Sequence, residues 1–136
     1  MGLTGNSSEQ ASEMLTIDEL LAEARVRLDR VRAVDLSDEV AKGAILIDAR
    51  PIEERQRDGE LEGAIVIDRN VLEWRLAPSA KHRIVDVGPE QRVIVVCTDG
   101  CQSSLAAATL QRLGLGGATD LIGGYRALIG KEVQRG

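Results

Sequence analysis

The stretch that decides the fold is "VIVVCTDGCQSSLAAATLQRLG", residues 93–114. Four β-branched apolar residues run into Cys97, a short polar loop with one glycine follows, and an alanine-rich amphipathic segment comes after it. An unbroken Val/Ile run reads as a strand buried on both faces, and the apolar residues beyond Ser103 recur at helical spacing. The local reading is strand, tight polar loop, helix, with a thiol at the carboxyl end of the strand.

The same alternation extends outward in both directions. "TIDELLAEARVRLDRV" predicts a helix over 16–32, with Thr16 and Glu19 as a capping box and Ile17, Leu20, Leu21, Ala24, Leu28 and Val31 on one face. "SDEVAKG" reads as a shorter helix capped by Ser37 and stopped by Gly43, and "AILID" after it as a buried strand. "PIEERQRDG" is a helix opened by Pro51 and closed by Gly59, "AIVID" a second buried strand and "NVLEWRLA" another short helix. Residues 78–90 read as loop, "ATDLI" as the last strand and "GGYRALIG" as a closing helical turn or two. Parallel neighbours need crossovers, so this order predicts an α/β fold: a central parallel sheet of about five strands with helices on both faces. Ligands of such sheets sit at the carboxyl ends of strands, and Cys97 lies at such an end.

Composition agrees with one domain over residues 15–136 preceded by a disordered polar tail, residues 1–14. The chain has 136 residues, and with no Phe, one Trp and one Tyr its core has to be packed from Ala, Val, Ile and Leu. The net charge is −5 and the basic residues are scattered among acids, which argues against a nucleic-acid partner. No segment approaches membrane-spanning length and the start lacks the apolar core of a signal peptide, so no membrane partner and a cytoplasmic location are expected. Cys97 and Cys101 are too close together to staple distant parts of a fold and are expected as reduced thiols. With a lone remote His82 they are also too few for a structural metal site, and no GxGxxG follows the first strand, so neither metal nor cofactor is expected.

The backbone amides of Thr98, Asp99, Gly100, Cys101, Gln102 and Ser103 have no strand partner and lie just before a helix, free to curl around an anion. That anion can be the cysteine's own thiolate. A free thiol ionises near pH 8.5, and lowering that by two units takes roughly 2.7 kcal/mol, within reach of a helix end plus several amide hydrogen bonds. The pattern by itself fits equally an inert buried cysteine acting as a small hydrophobe.

Further segments separate the two readings. "LIDAR" with Asp48 and Arg50, "GELEGAIVID", the stretch around Cys97 and "DLIGGYRAL" together resemble the rhodanese-like sulfurtransferases, in particular a single-domain bacterial branch, from about residue 37 to 130. The resemblance implies a nucleophile at Cys97 and a six-residue loop, Cys97 to Gln102, wrapped around a bound sulfur. The implied reaction moves sulfane sulfur from a small donor (thiosulfate, a persulfide or a polysulfide) to a thiol or cyanide acceptor through a Cys97 persulfide, with a protein persulfide as a further partner. Cysteine-dependent phosphatases need an arginine six residues after the cysteine; here that residue is Ser103, which disfavours phosphatase chemistry.

The chain departs from the resemblance in its charges. Thr98 and Asp99 stand where thiosulfate-using relatives often carry cations, and Glu54, with Arg55 adjacent, stands where some carry an arginine. Arg50, Arg69 and Arg75 are alternative cations, each fitting better a surface or structural salt-bridge residue. Asp48 and Arg50 fit a hydrogen-bonded pair bracing the loops beneath the site, and Trp74 fits either a pocket wall or a helix-packing residue. Cys101 leaves open a non-catalytic, redox-sensing module based on a Cys97–Cys101 disulfide, against a plain outward-pointing side chain. Gly123 and Gly124 are expected to permit a tight turn into the last helix.

Overall fold

A computed structural model of the chain describes residues 14–135, with side chains as far as residue 130. Apart from Met14, the expected polar tail lies outside the described residues. Four strands, β1 (Ile45–Asp48), β2 (Ile65–Val66), β3 (Val93–Val96) and β4 (Ala118–Asp120), form one parallel sheet in the order β2-β1-β3-β4. The four strands agree with the expected parallel sheet of about five, and the chain around Val31 adds a single parallel bridge to Leu121. That bridge extends the sheet beyond β4 through Val31 N–H to Asp120 O (2.9 Å) and Ile122 N–H to Val31 O (2.8 Å).

Successive strand residues point to opposite faces, so a strand covered on both sides must be apolar throughout. Ile47, Val93 and Val95 face one core with Leu72, Leu76, Ala106 and Leu110, which belong to helices α4 (Leu72–Leu76) and α5 (Gln102–Arg112). Leu46, Ile94 and Val96 face the other with Leu36, Tyr125 and Leu128, from α2 (Leu36–Ala41) and α6 (Gly124–Arg135). Each fully buried leucine or isoleucine contributes about 1.5–3 kcal/mol, which compensates for the near absence of aromatics. The second buried strand proves shorter than "AIVID" suggested: β2 has two residues at the sheet edge and Val66 is exposed.

Helix α1 (Ile17–Val26) opens on the expected capping box, Glu19 N–H donating to Thr16 Oγ1 (3.0 Å) and Thr16 N–H to Glu19 Oε1 (2.8 Å). It stops at Val26 rather than at residue 32. The next residues leave the helix for the sheet edge, where Leu28 and Val31 are buried while Ile17 and Leu20 on the helix stay exposed. Pairing with Leu121 and burial outweigh helix propensity there. Ser37 lies inside α2 and does not cap it, since a 3-10 turn (Ala33–Asp35) leads directly into the helix. Helix α3 (Ile52–Asp58) starts after Pro51 and ends at Gly59, whose φ of +110° reverses the chain. The closing helix α6 is longer than the expected one or two turns. No helix among the described residues is long and apolar enough to cross a membrane.

Candidate active site around Cys97

Strand β3 ends at Val96 in the middle of the sheet, so Cys97 emerges where helices from both faces converge. Its side chain is only 5% exposed. Burial here is not among aliphatics alone: Cys97 lines a cavity of about 40 Å³ with Arg50, Glu54, Thr98, Asp99 and Gln102. That volume holds little more than one or two waters, or one outer sulfur.

Two of the loop amides converge on the sulfur. Gly100 N–H donates to Cys97 Sγ at 3.1 Å and Ser103 N–H at 3.4 Å. The amides of Thr98, Asp99, Cys101 and Gln102, which the sequence placed in the same cradle, make no hydrogen bond to it among the described residues. Gly100 adopts φ +85°, a left-handed conformation that turns the loop back over the thiol. The cradle is smaller than expected, and the Cys97 thiol also lies 3.2 Å from Ser103 Oγ. Ser103 gives its single hydroxyl hydrogen to the Asp120 carboxylate (2.8 Å), which can only accept, so the hydroxyl faces the thiol as an acceptor.

The Gly123–Gly124 turn does more than start a helix. Tyr125 N–H donates to Cys97 O (2.8 Å) and Arg126 N–H to Thr98 O (3.1 Å), pinning the loop from outside. A Cβ on Gly124 would meet Cys97 O, stand 2.6 Å from Thr98 O and 2.7 Å from Gly100 N, so only glycine allows this approach.

Asp48 and Arg50 form a hydrogen-bonded pair, both buried. Arg50 Nε and Nη2 donate to the two Asp48 oxygens (3.0 and 2.8 Å), Nη2 also donates to Gly59 O (2.8 Å), and the guanidinium lies 3.8 Å from the Tyr125 ring centre. Burial alone would lower the Arg50 pKa, but the Asp48 hydrogen bonds and charge raise it above its ordinary value, so the guanidinium stays charged. Its Nη1 is buried without a hydrogen-bond partner among the described residues, leaving a donor on a side chain that lines the Cys97 cavity.

The other candidates fall elsewhere. Trp74 is 62% exposed, on the outer face of α4 opposite Leu72 and Leu76, and neither walls the cavity nor packs the helix onto the sheet. Cys101 is exposed and both thiols are free. His82 is exposed in the loop before β3, Arg69 pairs with Glu73 (3.0 Å) and Arg55 with Glu60 (3.3 Å). Glu54 accepts from Thr98 Oγ1 and Asp99 pairs with Arg126 (2.8 Å), so carboxylates border the cavity mouth. Among the described residues no cluster of His, Cys, Asp or Glu could hold a metal ion.

Sequence reading missed Arg25, Arg30, Ser104 and Asp120. Arg30 Nε donates to Asp120 Oδ1 (2.8 Å), Ser104 Oγ donates to Asp120 Oδ2 (2.7 Å), and Arg25 Nε donates to Ser104 Oγ (3.0 Å). One signal was available, a carboxylate at the end of an apolar strand in "ATDLI", which demands a buried partner.

A family model for the rhodanese-like domain matches residues 32–131. The chain belongs to the rhodanese-like domain family. Among solved structures it is similar to a Rhodopseudomonas palustris protein of unknown function described as a possible tyrosine phosphatase, with 25% identity, TM-score 0.76, and coverage of 88% of this chain and 92% of that one. It is also similar to the human single-domain sulfurtransferase TSTD1 (26% identity, TM-score 0.62, 75% and 96% covered). A rhodanese-related protein from Thermoplasma volcanium gives 25% identity and TM-score 0.59 over 75% and 91%. No curated protein matches the chain. The rhodanese-like match begins at residue 32, so α1, Arg25 and Arg30 precede it.

Proposed function

We propose that this rhodanese-like protein is a sulfurtransferase that carries sulfane sulfur as a Cys97 persulfide. The observation that carries the reading is the pair of main-chain donors on Cys97 Sγ, from Gly100 and Ser103, inside a cavity the size of one added sulfur. The Cys97 thiolate attacks the outer sulfur of a donor persulfide, forming an Sγ–S bond as the donor's own S–S bond breaks and its thiolate leaves. An acceptor thiolate then attacks the same outer sulfur and Cys97 leaves as thiolate, so sulfur moves without net oxidation. The amides hold negative charge on the inner sulfur before and after transfer, and the free Nη1 of buried Arg50 offers a donor to the outer one.

Charge at the mouth bears on the donor. Glu54 and Asp99 border the cavity; Arg126 offsets Asp99, but Glu54 has no basic partner among the described residues, which disfavours a dianion such as thiosulfate relative to a persulfide of lower charge. A phosphatase reading fares worse. Position 103 holds serine, its hydroxyl committed to the Asp120 carboxylate, where such an enzyme needs an arginine to clamp phosphate.

Incubation with a persulfide or polysulfide donor followed by intact-mass measurement should show about 32 Da added, removable by a reducing thiol and absent in Cys97→Ser. No adduct with any of thiosulfate, polysulfide or a protein persulfide overturns the proposal.

A further inference from the structure

The segment that precedes the rhodanese-like match places two guanidinium groups behind the Cys97 loop. Arg25 Nη2 and Arg30 Nη2 both donate to Gly100 O, at 2.8 and 3.1 Å. Gly100 is also the residue whose N–H reaches the sulfur, so its carbonyl is gripped on one side while its amide is aimed on the other. Arg30 further holds both Asp120 oxygens (2.8 and 3.2 Å), and Asp120 in turn fixes the Ser103 hydroxyl against the thiol. Arg25 reaches Ser104, whose hydroxyl also lies 3.3 Å from Gly100 O.

We infer that Arg25 and Arg30 are positioning residues for the Cys97 thiolate, making the N-terminal segment a working part of the active site. The inference rests on Cys97 acting as a nucleophile, as in the sulfurtransferase reading. A glycine at φ +85° in a polar loop has other conformations open to it, and two charge-assisted bonds to one carbonyl select the one that presents the amide. They also set positive charge behind the sulfur. The charged groups around it are Arg50, Glu54 and Asp99 at the cavity and Asp120, Arg25 and Arg30 behind the loop, with Arg126 tied to Asp99.

Arg25 is the better site to test, because its partners here are a carbonyl and a hydroxyl and its removal strands no buried charge. The measurement is the rate of Cys97 alkylation by iodoacetamide at fixed neutral pH, with peptide fragmentation separating Cys97 from Cys101. It uses no sulfur donor, so it reads the loop independently of whether sulfur transfer occurs. Arg25→Gln should slow alkylation by about tenfold while the protein remains folded by circular dichroism, and Arg25→Lys, which keeps the charge but not the fork, should fall between. A folded Arg25→Gln protein that alkylates at the wild-type rate overturns the inference, even if its melting temperature is lower. Should Arg25→Gln not fold, Arg25→Lys decides: a loss of about twofold or more upholds the inference, and a wild-type rate overturns it.

Discussion

Gly124→Ala puts the architecture of the loop under direct test. Gly124 has φ +64°, and an added Cβ would collide with three main-chain atoms of the cysteine loop, among them Thr98 O at 2.6 Å and Gly100 N at 2.7 Å. Main-chain atoms cannot rotate away as a flexible side chain can, so relieving the contact displaces the loop by about 0.6 Å. The Gly100 N–H bond to Sγ, now 3.1 Å, then lengthens to about 3.7 Å and weakens. Left-handed strain costs about 1–2 kcal/mol and overpacking about 1–3 kcal/mol, for a total of about 2–5 kcal/mol. At roughly 3–5 °C per kcal/mol for a domain of this size, melting should fall by roughly 6–25 °C. Weakening a hydrogen bond to a charged sulfur by about 1.4 kcal/mol should slow persulfide loading by about tenfold. Gly43→Ala is the control: its φ is +103° but no atom lies within 4 Å of the added Cβ, so it carries the strain alone and leaves loading unchanged. Thermal unfolding and time-resolved intact mass report both effects. If Gly124→Ala is no less stable than Gly43→Ala and loads sulfur at the wild-type rate, the close approach of the Gly-Gly turn does not shape the site.

Two further outcomes follow from named contacts. Asp48→Ala leaves the Arg50 guanidinium buried without its carboxylate and should cost about 3–5 kcal/mol in denaturant unfolding, much of it regained in Asp48→Leu combined with Arg50→Met; a loss under about 1 kcal/mol would contradict the bracing role. Asp99→Arg reverses the charge at the cavity mouth. Because the Asp99–Arg126 pair is exposed, stability should change by less than about 1 kcal/mol, while kcat/KM for thiosulfate rises on the order of tenfold and loses that gain at high salt. Unchanged thiosulfate kinetics would remove Asp99 from any part in donor choice.

What the chain alone determined is what local periodicity encodes. Apolar runs such as residues 93–96 must be covered on both faces, so strand–helix alternation dictated a parallel sheet and put Cys97 at a strand end. The helix starting at Thr16 was legible through its capping box, but its end was not, because the burial of Val31 beside Leu121 is a contact across the fold. Only tertiary structure decided how the sulfur is held. Which amides face Sγ depends on a left-handed glycine, a Gly-Gly turn more than twenty residues away and two arginines more than sixty residues upstream. Asp120 in an apolar strand signals a buried partner but not which one, and no pattern around Arg25 or Arg30 encodes those bonds, because hydrogen-bond geometry depends on distance in space rather than along the chain.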